Sequence, residues 1–162
     1  MKYHPLTEKI VTMLKAESFW FETFEHEPVR TSEEAAKIRT GYTLNQGAKA
    51  IIIRVKFSSS SKEFVMLVIP GDKRFNSKKA KSELNAKDIR FATEDEVLNL
   101  TNGVLPGGVP PFGSLFNLST FVDPSLFENE KIVFNAGDRS FSIGMLSKDY
   151  QTVENPQIRE LI

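Results

Sequence analysis

Three glycines and two prolines share the seven residues GGVPPFG (107–113), in a chain with only nine glycines. Gly103 and Pro106 stand just before them. Glycine lets backbone amides turn inward with no Cβ in the way, and proline holds such a shape at low entropy. A stiff ring of N–H groups suits an oxyanion, a phosphate or a carbonyl. A structural Ω-loop with no ligand accounts for the composition equally well. The run matches neither a phosphate-binding loop nor a dinucleotide fingerprint. Lys49, at the head of the apolar run AIII and two residues after Gly47, is the second chemical candidate. At the mouth of a sheet its ammonium would grip a phosphate; elsewhere it is a solvated strand-edge charge. In NAGDRS (135–140), Asn135, Gly137 and Asp138 suit a hairpin turn, and also suit the polar wall of a pocket. Lys73, Arg74, Lys78, Lys79, Lys81, Lys87 and Arg90 face only Glu83 and Asp88 in their stretch. Such a run either holds a polyanion backbone or is a solvated helix face.

Several chemistries are excluded. The chain has no cysteine, so there is no disulfide framework, thiol nucleophile or thiolate metal site. His4 and His26 stand far apart without metal-ligand spacing. His26 reads as structural, and no nucleophile signature lies near it to build a triad. Lys plus Arg equals Asp plus Glu at 21 each, so an anionic partner must be met by a local patch rather than a global field. The N-terminal MKYHPLTEKI has no continuous apolar stretch of the kind a signal peptide carries. FVMLVIP (64–70) is far short of the roughly 20 residues of a membrane helix. The expectation is a cytoplasmic protein of one domain, 1–162, with a Phe-rich interior. Its initiating Met and length suggest a free-standing protein rather than a piece of a larger one.

The elements that must position these groups are partly legible. Pro5 opens a helix whose Leu6, Ile10, Met13 and Leu14 recur at helical spacing. SFWFETFEH (18–26) alternates as a strand does. Thr31-Ser-Glu-Glu34 is a capping box for a short helix that Gly41 closes. KAIIIRVKF (49–57) and EFVMLVIP (63–70) form a hairpin about the serine-rich SSSSK. Asn76 or Ser77 caps a basic helix, KDIRFA (87–92) is a short strand, and Thr93-Glu-Asp-Glu96 is a second capping box. STFVD (119–123), KIVFNAG (131–137) and RSFSIGML (139–146) complete the strands. The interspersed order predicts an α+β fold with a mixed, barrel-like β-sheet flanked by helices.

Taken together and in order, several segments resemble the YbaK/ProX family of aminoacyl-tRNA deacylases, which includes the editing domain of bacterial prolyl-tRNA synthetases. They are HEPVRTSEEAA (26–36), GAKAIIIRV around Lys49, VIPGDKRFNSKKAKSELNAKDIRFATEDEVLNLT (68–101), GGVPPFG, VDPSL (122–126) and VFNAGDRS (133–140). The resemblance spans roughly Thr7 to Tyr150. It implies a trans-editing enzyme, with no cofactor or metal, that hydrolyses the ester between a wrong amino acid and the 3′-terminal adenosine of a tRNA. The implied catalytic groups are Lys49, which holds the acceptor end, and Gly107. The implied amino-acid site comprises Thr31, Gly108, Val109, Pro111, Phe112, Gly113, Asn135, Gly137 and Asp138, and Lys73, Arg74, Lys78, Lys79 and Lys81 are the tRNA-binding surface. The water is activated with help from the substrate's own ribose hydroxyl. The expected substrate is Ala-tRNA(Pro) or a Cys- or Ser-type small residue, and the expected partners are tRNA and an associated synthetase, with no membrane. Some relatives carry a histidine near the turn that here reads Asp138-Arg139. A non-catalytic tRNA- or synthetase-binding module of the same fold is the alternative.

Overall fold

The computed structural model describes residues 3–28 and 31–162. The longest β-runs fold as the sequence predicts: β2 (Ala48–Lys56) and β3 (Lys62–Pro70) form an antiparallel hairpin in register from Ala48–Pro70 to Lys56–Lys62. Its serine turn closes on itself, with the Ser58 hydroxyl accepting from the amides of Ser60 and Ser61. β4 (Asp88–Phe91) pairs with the far end of β2, while β5 (Ser119–Val122) and the two-residue β8 (Gln157–Ile158) add in parallel beyond β3. This gives a five-stranded mixed sheet in the order β4-β2-β3-β5-β8. β1 (Phe21–Glu25), β7 (Phe141–Leu146) and β6 (Lys131–Asp138) form a separate three-stranded antiparallel sheet.

The sheet is therefore not one barrel. Among the described residues the two sheets meet at a single parallel bridge, Gly47 to Val133, and no continuous ladder closes them. β2 begins at that junction, one residue after Gly47, so Lys49 stands beside the gap between the sheets.

Alternation along β2 and β3 divides the core. Ile52, Met66 and Val68 face a cluster shared with β6, β7 and Leu6, Ile10 and Leu14 of α1 (Pro5–Ala16). Ile53, Val55, Val65, Leu67 and Ile69 face the opposite way, onto Ala80 of α3 (Ser77–Glu83) and Leu161. Period-2 side-chain alternation requires this division for a strand buried on both faces. Thr31 caps α2 (Ser32–Ile38) by accepting from the Glu34 amide at 3.1 Å, and Asn76 caps α3. The Thr93 capping box is complete on α4 (Glu94–Leu100). Asp123 of VDPSL is buried; it accepts from the Ser125 amide and hydroxyl and, at 2.7 Å, from the Leu161 amide. One carboxylate thus caps a short 3₁₀ turn and pins the C-terminal segment. Burial pushes this carboxyl up, and the hydrogen bonds from Ser125, Leu161 and Ile162 outweigh that, leaving it below its ordinary value.

One helix has no counterpart in the sequence reading: α5 (Ser147–Glu154), directly after β7. Its sequence SKDYQTVE is polar and buries only Ser147, Tyr150 and Glu154. Among the described residues no helix is long and apolar enough to cross a membrane.

Candidate functional site

A cavity of about 390 Å³ opens where the two sheets meet, within the usual size range of small-molecule pockets. α2 supplies Ala35 and Ala36 to its wall, preceded by the cap residue Thr31 and followed by Arg39. The head of β2 supplies Gly47 to Ile51, including Lys49; the glycine-proline loop supplies Gly107 and Val109; β6 supplies Phe134 and Asn135. Segments spread from Thr31 to Asn135 therefore converge on one hollow.

Lys49 is half-buried, and its Nζ donates to the Lys73 carbonyl at 2.7 Å. Burial lowers its ammonium below the ordinary lysine value; Glu33 and Asp72 act against this, and Arg74 adds to it. The bond also ties the Asp72–Arg74 turn to the cavity rim.

The loop divides into two halves. At Gly107 the backbone has φ +92°, a conformation that favours glycine. The Gly108 amide is used internally, donating to Leu105 at 2.9 Å, whereas the amides of Gly107 and Val109 donate to no acceptor among the described residues. Pro111, Phe112 and Gly113 do not line the cavity; they are buried beneath it. Phe112 packs edge-on between Phe134 and Tyr150, with centroids 5.4 and 5.2 Å away. The Pro111 carbonyl accepts from the Tyr150 hydroxyl at 2.6 Å. Gly113 donates to Thr120 Oγ1, which in turn donates to the buried Glu154 carboxylate. A Cβ on Gly113 would stand 2.4 Å from that same Thr120 oxygen, so only glycine fits. This half is a structural anchor fixed by α5. Apolar burial and anchoring, rather than exposure to the cavity, account for Pro111, Phe112 and Gly113 in this structure.

Gly108, Gly137 and Asp138 also stand outside the cavity lining. The Gly137 amide donates to the Gly108 carbonyl at 2.8 Å, which docks the loop onto β6. Asp138 accepts from the Ser140 amide and so shapes the β6–β7 turn. Arg139, the next residue of that turn, donates from Nε to the Pro106 carbonyl. Of the basic run, Lys73 and Arg74 lie on the turn held by Lys49, and Lys78 and Lys79 are exposed on α3. Lys79 Nζ donates to the Ile162 carbonyl, Lys81 is half-buried, and Arg90 is engaged by Glu96 at 2.8 and 3.0 Å.

Two polar residues of the site carry no signal in the local sequence. Arg39 is 7% exposed, yet it has no carboxylate partner among the described residues. Burial lowers its guanidinium to about 10. Its Nε donates to Ser142 Oγ at 3.0 Å and its Nη2 to Asn135 Oδ1 at 2.7 Å. The Asn135 Nδ2 in turn donates to the Gly107 carbonyl at 2.6 Å. Ser142, fully buried, is the second; it also meets His26 Nε2 at 2.7 Å, giving that histidine the structural place expected of it. Val29 and Arg30, inside the HEPVRTSEEAA segment, lie outside the described residues.

The arrangement brings to one cavity wall a cation, two residues whose amides are unspent, and a polar chain that holds the Gly107 carbonyl between them. Comparison with known proteins agrees in kind. The family model of the aminoacyl-tRNA editing domain matches residues 26–153. A multifunctional Ser/Thr-tRNA deacylase, ProXp-y, of Escherichia coli (strain K12) is 30% identical over 93% of this chain and 89% of its own. A proline–tRNA ligase of Ralstonia pickettii is 27% identical over 74% of this chain, which spans only 21% of the ligase. A solved structure of a candidate trans-editing enzyme for prolyl-tRNA synthetase superposes with a TM-score of 0.81, covering 99% of this chain and 98% of that one at 22% identity, a likeness of fold.

Proposed function

Since the chain belongs to the aminoacyl-tRNA editing domain family, we propose that it is a trans-editing hydrolase that clears small, wrongly attached amino acids from tRNA. The observation that carries this reading is the convergence of Lys49, Gly107, Val109 and Asn135 on one cavity, with two amides free of protein acceptors among the described residues. Lys49 grips a phosphate of the acceptor end. The Gly107 and Val109 amides receive the negative charge that develops on the ester carbonyl as water adds to its carbon. The carbon–oxygen bond to the terminal ribose then breaks, the ribose oxygen leaves with a proton, and the free amino acid departs. The adjacent ribose hydroxyl of the substrate assists the water, so no side-chain nucleophile is required.

Alanine, serine and threonine fit such a space, with serine and threonine foremost. Two considerations favour these over the alanine-first expectation. The cavity wall mixes the small Ala35, Ala36 and Ala48 with the polar Thr31, Arg39 and Asn135, and the E. coli relative is a Ser/Thr-tRNA deacylase by name. Size alone separates neighbouring side chains by only about 1–3 kcal/mol per methylene, so a hydroxyl-reading wall adds needed discrimination.

The test is a panel of Ala-, Ser-, Thr- and Cys-charged tRNAs incubated with wild type and Lys49→Ala. Loss of the amino acid from at least one, faster than in buffer and slowed by the substitution, is the expected result. Stability of all four esters, with tRNA still bound, would instead favour a non-catalytic binding module.

A further inference from the structure

We propose that Phe91, braced by Phe75, is a stacking platform for a base in the unpaired 3′ end of the tRNA; this rests on the editing function proposed for the cavity. Phe91 is 61% exposed, more than any other large apolar side chain among the described residues. A lone exposed apolar residue is ordinary. This one differs in its neighbours and in its position relative to the cavity.

Position comes from register. Lys49, Ile51 and Ile53 occupy alternate positions of β2, so they share one face of the sheet. Lys49 and Ile51 line the cavity. Ile53 is the cross-strand partner of Phe91 on the edge strand β4, so the Phe91 ring rises from that same face. At about 3.3 Å per residue the platform lies roughly 7 Å beyond Ile51 and 13 Å beyond Lys49. A strand whose terminal ester occupies the cavity passes over Phe91 with its preceding nucleotides.

The neighbours fit an anionic, aromatic ligand. Phe75 meets Phe91 edge-to-face at 5.2 Å and 80°, and is itself half-buried against Ile53's side of the core, so the pair is held in place. Lys73 and Arg74 immediately precede Phe75, both exposed, and the Lys73 carbonyl is the one that Lys49 holds. Arg90 is committed to Glu96, whereas Lys73, 3.9 Å from Asp72, and Arg74 adjoin Phe75 on the turn that Lys49 ties to the cavity rim. Basic groups tracking a backbone beside a flat aromatic surface are the usual means of holding single-stranded nucleic acid without reading its sequence.

Phe91→Ala and Phe91→Trp are compared in steady-state deacylation of mischarged tRNA and of the matching aminoacyl-adenosine, which lacks the preceding nucleotides. Because the ring is exposed, both variants should fold, as a thermal melt will verify. Expected is a KM for tRNA raised roughly 10-fold in Phe91→Ala with kcat within about twofold, near-wild-type behaviour in Phe91→Trp, and no change for either variant on aminoacyl-adenosine. An unchanged KM for tRNA, or an equal loss on both substrates, overturns the platform while leaving the editing function in place. Conversion of a wild-type dimer to a monomer by Phe91→Ala in sedimentation would also overturn it, by assigning the ring to a contact between copies. If wild type hydrolyses neither substrate, the editing reading falls. The platform is then judged alone, by quenching of 2-aminopurine in a short single-stranded RNA with the tRNA 3′ sequence: quenching by wild type and not by Phe91→Ala supports it, and equal quenching overturns it.

Discussion

Asn135 holds Gly107 by its carbonyl at 2.6 Å, while the other end of the same amide is held by Arg39 at 2.7 Å. A buried guanidinium therefore reaches the rim of the cavity through one side chain, and it fixes the peptide that precedes the crowded Gly108. That peptide lies between the two that carry the Gly107 and Val109 amides, whose own carbonyls, Pro106 and Gly108, accept from Arg139 and Gly137. A segment held at three successive carbonyls is fixed before substrate arrives, which is the condition for electrostatic stabilisation of a developing oxyanion.

Asn135→Ala removes this link. Deacylation kcat is expected to fall by about 10- to 100-fold, less than the 10²–10³ typical of losing an oxyanion donor outright, because both donor amides remain and only the peptide between them loosens. Single-turnover kinetics on the best-cleaved tRNA checks it; an unaltered rate would remove Asn135 from the machinery. Arg39→Lys should resemble it, since a lysine cannot bridge Ser142 and Asn135 as the planar fork does.

Lys49→Ala should lower kcat/KM by about 100-fold or more, with Lys49→Arg failing to restore it, because the longer fork does not fit the bond to the Lys73 carbonyl. The pH profile gives an independent check. Burial lowers the lysine, so the folded protein gives up this proton more readily than a free side chain does. Activity that depends on the ammonium should decline on the alkaline side, beginning below the ordinary lysine value of about 10.4.

Tyr150→Phe leaves the buried Pro111 carbonyl without its donor. Leaving a buried polar group unmatched costs about 1–3 kcal/mol, and equilibrium denaturation should show a loss of that order. Activity measured well below the transition should change little, since Tyr150 touches the anchored half of the loop and not the cavity.

Glu96 receives both guanidinium donors of Arg90, at 2.8 and 3.0 Å, and accepts from the Thr93 amide. The Arg90 bond, followed by the Thr93 amide, lowers this carboxyl to about 2. A folded-state value below the unfolded one, near about 4.3, stabilises the fold above that pH, and the contribution is lost as pH falls towards about 2. Glu96→Gln should therefore be less stable than wild type near neutral pH, with the two converging in strong acid. Both groups face solvent, so the difference should be small and shrink with added salt.

Much of the framework is legible in local sequence. The hairpin of β2 and β3, the caps at Thr31, Asn76 and Thr93, and the strands flanking NAGDRS all announce themselves within short windows, because period, capping chemistry and turn residues act over that range. Lys49, Thr31, Gly107, Val109 and Asn135 could be singled out by type and setting, and each reaches the cavity wall. Three things could not be read this way. α5 is too polar to show a helical apolar face, yet its Tyr150 and Glu154 decide that PPFG is an anchor. Arg39 looks like the end of an ordinary surface helix; its partners Asn135 and Ser142 lie 96 and 103 residues away. The two sheets approach at one bridge and stop short of a barrel. Local patterns specify elements because neighbouring residues share a backbone. Which buried donor meets which acceptor is settled only when the packed sheets bring distant segments within about 3 Å, where an unmatched polar group would be costly.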